Sequence, residues 1–336
     1  MNTAPSSSAH LLLGGNKQTG WMSYFPPAWT PYIQLTRLTS PAPILLIYLP
    51  HLFGIIYAAT LQRSPLSETL HTSAIVAAGS VFFSNAAHIW NDIVDADIDA
   101  KVDRTRNRPI PRGAVTKKNA QFFAISQAIL ALLCFIPFPF RDSALYALPN
   151  VIATAYYPLA KRHTNFPQLV LGFCLSWGIL IGGLAMGVRP FLLILRSQGV
   201  VVQRISLPLI TLMIACTFWT IIYDTVYAHL DLKQDIKLSV GSTAVLFGDR
   251  TKGFLWLCLA LMMLFIAVSG FTGGLGISYF LVSGVGSFVS LSLMITRVEL
   301  RNPKSCAWWF RHGFQYTGGA IVFGLLLEYK FAGQNT

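Results

Sequence analysis

Apolar positions in this chain come in long unbroken runs, and polar positions are confined to short stretches between them. About 20 consecutive apolar residues are needed for a helix to cross a bilayer. Runs near that length fall at about 41–60, 71–91, 118–138, 143–160, 167–188, 205–229, 253–271, 276–296 and 312–329. The pattern predicts an all-α, polytopic membrane protein of about nine transmembrane helices. Composition agrees: 54% of the 336 residues are hydrophobic and only 11% are charged, where a soluble domain carries roughly 25% charged residues.

The polar remainder sets orientation. With nine spans, the amino terminus and the even-numbered connections share one face. Six basic residues lie on the other face (Arg63, Arg141, Arg189, Arg196, Arg204 and Lys330), which leaves 19 of the 25. A split of this kind follows the positive-inside rule and directs the basic face to the cytosol. The net charge of +12 therefore reflects topology and anion binding, with no nucleic-acid partner implied. Residues 1–36 are rich in Ser, Thr, Pro and Gly, have no acid and one base, Lys17. They read as a disordered cytosolic tail before a membrane domain at 37–331. The tail lacks the arginines of a transit peptide, which favours the endoplasmic reticulum or another endomembrane over the mitochondrial inner membrane. Segment 189–204 reads as a semi-apolar connection that an interfacial helix would suit. The five cysteines show no metal or disulfide spacing.

Acidic residues break the pattern. Eight of the thirteen fall between Asp92 and Asp103 or between Asp224 and Asp235, each window at the cytosolic end of an expected span. Carboxylates beside a bilayer are costly and mark substrate or ion chemistry. At 100° per residue, Asp92, Asp95 and Asp99 lie within about 60° on a helix, with Asp97 pointing elsewhere. Asp224, Asp231 and Asp235 fall within about 40° on the same rule. Faces of this kind repel unless cations neutralise them, and all-oxygen donors suit Mg²⁺, which takes one or two carboxylates together with waters and phosphate oxygens. Lys101, Arg104, Arg106, Arg108 and Arg112 follow the first window, and forked guanidiniums suit a diphosphate. Arg104 and Arg108 are the preferred contacts.

Three motifs in order carry a resemblance. Asn91-Asp92-x-x-Asp95-x-x-x-Asp99 precedes Arg104-Thr-x-x-Arg108-Pro; Tyr157-Pro-x-x-Lys161-Arg162 lies between the windows; and Tyr223-Asp224-Thr-x-Tyr227-Ala precedes Asp231-x-x-x-Asp235 and Lys237. The set resembles the UbiA superfamily of intramembrane aromatic prenyltransferases. The resemblance implies nine helices around a central cavity, with Mg²⁺ on Asp92, Asp95, Asp99, Asp231 and Asp235 carrying a prenyl diphosphate. It implies Asn91, Tyr157 and Lys161 near the diphosphate, with Asp224 and Lys237 as further substrate contacts. Arg37 matches an arginine associated with the carboxylate of the aromatic acceptor. Two departures lie on the acceptor side. Arg37-Leu-Thr39-Ser40-Pro41 stands where ubiquinone-type members usually have Asp-Lys-Pro after the arginine, and Lys237-Leu-Ser239-Val-Gly241-Ser242 replaces Lys-x-Gly-x-Lys-Ser.

The expected activity is Mg²⁺-dependent transfer of a prenyl group, farnesyl first among candidates, to an aromatic carbon of a phenolic acid in meroterpenoid biosynthesis. The alternative is 4-hydroxybenzoate polyprenyltransferase of ubiquinone synthesis. A terpene cyclase of the same superfamily and a divalent-cation transporter are more remote. Transporters usually place such acids near the bilayer midplane rather than at span ends.

Overall fold

The computed structural model describes residues 20–38, 42–138, 140–196 and 199–334, with side chains at 140–143, 192–204 and 334 left undescribed. It is helical almost throughout. After two 3₁₀ turns at Gly20–Tyr24 and Pro27–Trp29 come α1 (Thr30–Leu35), α2 (Ala42–Gln62), α3 (Leu66–Asp99), α4 (Lys117–Leu133), α5 (Phe140–Ala160), α6 (Pro167–Ser176) and α7 (Gly178–Ala185). A β-hairpin, β1 (Phe191–Arg196) and β2 (Gly199–Ile205), leads into α8 (Leu207–Ala228), α9 (Leu232–Leu238), α10 (Thr243–Phe247) and α11 (Thr251–Gly273). A π-helical turn, Tyr279–Val285, runs directly into α12 (Gly286–Arg297), and α13 (Pro303–Gln334) follows.

Six helical segments are long and apolar enough to cross a membrane among the described residues: Ala42–Gln62, Leu66–Asp99, Pro167–Ala185, Leu207–Ala228, Thr243–Gly273 and Tyr279–Arg297. This is an integral membrane protein. The other three expected spans fall on α4, α5 and α13, which are helical but not among the six. In α4 the arrangement of side chains is still that of a lipid-facing helix. Ala120, Ala124, Gln127 and Ala131 are buried, whereas Phe122, Ile125, Ile129 and Leu132 are exposed. In water the large apolar side chains would turn inward.

Two compact units divide the chain: one of residues up to Leu45 with Ala78–Cys134, the other of Leu46–Ala77 with Phe135–Thr336. The first has a core of Leu35, Ile89, Ile93, Ala96, Ile110, Val115, Ala120 and Ala124. Leu35 of α1 is fully buried in it, which corrects the expected tail. Residues 20–36 carry helices, and burial of Met22, Thr30, Leu35 and Thr36 offsets part of the cost of ordering them. Residues 1–19 lie outside the described residues.

In the second unit α7 crosses α2 at backbone contact. A Cβ on Gly182 would collide with the carbonyl oxygen of His51, and one on Gly54 with that of Ile179. Small residues permit this approach, and packing of this kind drives helix association where no hydrophobic effect operates. The connection suited to an interfacial helix is instead the antiparallel pair β1–β2, with Phe191 opposite Ile205 and Arg196 opposite Gly199. The β-branched run Val200-Val201-Val202 favours the pleated form.

Candidate active site

In the first unit, the last turns of α3 carry Asn91, Asp92, Asp95 and Asp99. The expected face is real: Asp92, Asp95 and Asp99 are buried, while Asp97 points outward with its side chain 86% exposed and pairs with Lys117. Three carboxylates at a helix C-terminus oppose both one another and the negative end of the helix dipole, so cations must sit against them. Arg108 Nη1 donates to Asp99 Oδ2 at 2.6 Å and to Asp92 Oδ1 at 3.2 Å. Arg37 Nη2 donates to the same Asp92 oxygen at 2.6 Å. Asn91 Nδ2 donates to Asp95 Oδ2 at 3.2 Å.

The turn after α3 is shaped to return Arg108 to that face. Thr105 Oγ1 donates to the carbonyl of Asp99 at 3.0 Å, which satisfies an end-of-helix acceptor. Val102, Ile110 and Val115 anchor the segment by burial. Arg104 is half-buried within it. Arg112 Nη2 donates to Gln34 Oε1 at 2.7 Å, tying the segment to α1, and burial pulls its guanidinium below the usual arginine range. His88, one turn ahead of Asp92, bonds back to the Ser84 carbonyl at 2.7 Å.

Among the described residues no group of three or more His, Cys, Asp or Glu side chains converges to hold a metal unaided. The donors nevertheless fit a hard cation. Asp92 Oδ2 is buried and has no hydrogen-bond donor among the described residues, and a carboxylate oxygen left so is an acceptor awaiting a positive partner. Mg²⁺ asks for few protein carboxylates, so a three-ligand cage is not required.

In the second unit the expected continuous face is broken. Helix α8 ends at Ala228 and α9 begins at Leu232. Between them the Leu230 and Asp231 amides bond three residues back, to Tyr227 and Ala228. This tighter winding of about three residues per turn removes Asp224 from the register of Asp231 and Asp235. The latter two keep theirs, because the Asp235 amide donates to the Asp231 carbonyl at 2.8 Å. Both are half-buried, while Lys237 is exposed in the last turn of α9, where a cation suits the dipole. The acidic arrangement of the first window is therefore not repeated in the second.

Asp224 is held by the side chain of Gln168 in α6. The Gln168 Oε1 also accepts the Thr243 amide at 3.1 Å, so one glutamine joins α6, α8 and the start of α10. In sequence, Gln168 closes the motif that begins at Tyr157, Tyr-Pro-x-x-Lys-Arg-x-Thr-x-x-Pro-Gln, and that position had implied no role for it. Tyr157 lies in the last turn of α5 and Lys161 just past it, one turn apart and both half-buried. The Lys161 carbonyl accepts the Gly241 amide at 2.8 Å, and a Cβ on Gly241 would strike the Thr164 carbonyl oxygen. The stretch after α9, with Ser239 in the left-handed region at φ 53°, is thereby fixed to the Tyr157–Lys161 turn. His229, which caps α8, is buried and shares a 3.3 Å hydrogen bond with Thr251, and burial lowers its pKa below the ordinary 6.5.

Fold and site together define a polytopic helical membrane protein with carboxylates and guanidiniums gathered at the end of a span. The family model described as "UbiA prenyltransferase family" matches residues 47–318. The chain belongs to that family and is an enzyme that transfers prenyl groups. The mitochondrial 4-hydroxybenzoate polyprenyltransferase of Saccharomyces cerevisiae is 34% identical over 313 residues, 92% of this chain and 79% of the relative. The UbiA prenyltransferase claS of Ampulloclitocybe clavipes is 34% identical over 312 residues, 90% of this chain and 92% of the relative. Among solved structures, a UbiA homologue from Archaeoglobus fulgidus bound to GPP and Mg²⁺ superposes with a TM-score of 0.64 at 16% identity, covering 89% of this chain and 99% of that one. That likeness bears on fold alone.

Proposed function

We propose that this enzyme transfers a prenyl group, farnesyl foremost, from its diphosphate to an aromatic carbon of a phenolic acid, with Mg²⁺ as cofactor. The observation that carries the reading is the buried Asp92–Asp95–Asp99 face with its orphaned Asp92 oxygen. Asp92, Asp95, Asp99, Asp231 and Asp235 would hold Mg²⁺, whose chemistry when bound is neutralisation of the departing diphosphate. Arg104, Arg108, Lys161 and Lys237 would add positive charge to the diphosphate oxygens, with Tyr157 beside the diphosphate and Asn91 and Asp224 as further substrate contacts.

The C1–O bond of the allylic diphosphate breaks and the diphosphate leaves with the electron pair. A ring carbon activated by a phenol closes on C1, and loss of the ring proton restores aromaticity. The chain's contribution is charge fixed in advance and exclusion of water that would trap the cation. The Arg37 guanidinium suits the acceptor's carboxylate.

Two acceptor readings stand level. The meroterpenoid reading draws on the acceptor-side departures and on likeness to fungal prenyltransferases such as stbC of Stachybotrys bisbyi, 30% identical over 317 residues. The 4-hydroxybenzoate reading draws on the yeast relative, whose name places it in mitochondria. The first puts the chain in the endomembrane system and the second in mitochondria. Family membership displaces the cation-transporter reading. The deciding experiment incubates membranes containing the chain with geranyl, farnesyl and geranylgeranyl diphosphates against a panel of phenolic acids, read by mass spectrometry. Prenylated phenolic acid is the expected product. Terpene formed without any acceptor would identify a cyclase instead and overturn the proposal.

A further inference from the structure

Aromatic substitution leaves a ring proton to be placed, and the carboxylate oxygens beside Arg37 are already committed. Asp92 Oδ1 receives Arg37 and Arg108, and Asp99 Oδ2 receives Arg108. Asp92 Oδ2 is the oxygen read as awaiting a cation. One turn ahead of Asp92 on α3 stands His88, offset from it by about 40° around the helix and so on the carboxylate face. Its Nδ1 lies 2.7 Å from the Ser84 carbonyl oxygen and 3.3 Å from the Ser84 hydroxyl. A carbonyl oxygen can only accept, so Nδ1 carries the proton and Nε2 keeps its lone pair. With Nδ1 turned to the backbone of α3, Nε2 faces away from the helix, and no hydrogen-bond donor meets it among the described residues. The ring is half-buried, and the charges of Arg37, Asp92 and Arg108 all act on it.

We propose that His88 Nε2 is the base that takes the ring proton from the prenylated acceptor. An acceptor held through its carboxylate on Arg37 brings its ring to the side of the site where His88 stands. Once C1 has bonded to the ring, the C–H bond at that carbon breaks. Its electron pair restores aromaticity, and the proton passes to Nε2. The Nδ1–H keeps its bond to the Ser84 carbonyl throughout, so the imidazole changes charge without turning. The imidazolium that forms is matched by the carboxylates one and two turns along the same face, and water takes the proton as the product leaves. This role rests on the aromatic prenyl transfer proposed above.

The test uses the full chain in membranes, farnesyl diphosphate, Mg²⁺ and the phenolic acid of the panel that the wild type prenylates best, with its ring-deuterated form. His88→Ala is expected to lower transfer roughly 10²-fold or more, the scale of general-base catalysis. Prenyl alcohol from capture of the cation by water should still form, since ionisation does not need the base. Ring deuterium should slow the variant more than the wild type, and added imidazole should restore its transfer several-fold. A measurement on the unaltered chain guards against misfolding: diethyl pyrocarbonate acylates unprotonated imidazole nitrogen, read by peptide mass spectrometry. The acceptor, with Mg²⁺ and inorganic pyrophosphate, should protect His88 and leave His71, exposed near the start of α3, labelled as before. Transfer within about twofold of wild type, a loss without isotope effect or imidazole rescue, or labelling of His88 that the acceptor does not change overturns the role and leaves the aromatic transfer standing. A wild type that prenylates no phenolic acid overturns both.

Discussion

Arg37 and Asp92 lie 55 residues apart in sequence and 2.6 Å apart in space. Through that contact, the arginine matched to the acceptor is joined to the aspartate matched to the metal. Charge on one therefore governs the other, and substitutions at either should be felt in both binding and catalysis.

Asp92→Asn keeps the shape of the side chain but removes its charge. Prenyl transfer is expected to fall roughly 10²- to 10³-fold, the scale for loss of one fixed electrostatic group. Asp97→Asn, on the outward face, should stay within twofold of wild type. Product formation by mass spectrometry at saturating diphosphate separates the two.

Removing Arg108 strands Asp99 and weakens the hold on Asp92. Arg108→Ala is expected to destabilise the protein by about 3–5 kcal/mol, the scale for breaking a buried ion pair from one side. Arg106 pairs with Asp103 with both side chains largely exposed, at 60% and 78%, and Arg106→Ala should change stability by less than about 0.5 kcal/mol. Thermal unfolding in detergent gives both values.

Gln168→Leu keeps volume and deletes both polar contacts. The buried Thr243 amide loses its acceptor, at a cost of about 1–3 kcal/mol, and Asp224 loses its tether. Protease resistance of the 239–247 segment should drop relative to wild type, and equal digestion rates would contradict the tether.

His229 sets a pH dependence. Its folded-state pKa lies below the ordinary 6.5 of the unfolded chain, so the unfolded state takes up protons first as pH falls. Stability is then full above about pH 6.5 and declines as the medium is acidified below it. His229→Gln should flatten that decline in melting temperature between pH 7 and 5.

The first acidic window was legible because it lies on one regular helix. Spacing at 92, 95 and 99 predicted a shared face, and Asp97 was correctly set outside it. The second failed for a local reason. Spacing arithmetic assumes 3.6 residues per turn, and the tight turn at His229–Asp231 departs from it without a proline or glycine to announce the change. Residues 20–36 looked like a tail on composition, since the residues that dock them, Leu35 in the core and Gln34 on Arg112 among them, are unremarkable in sequence. The hairpin at 191–205 was obscured by apolar strands too short for period to distinguish from helix.

By itself, the sequence determined that the chain is helical, membrane-embedded and, through three ordered motifs, a member of its family. Those properties depend on local composition and spacing, which a linear reading preserves. Only the tertiary structure decided which side chain answers which carboxylate: the Arg108 guanidinium on Asp92 and Asp99, the Arg37 guanidinium on Asp92, and the neutral Gln168 amide on Asp224. Such pairs are set by core packing that returns distant segments to one place, and no periodicity along the chain encodes that distance.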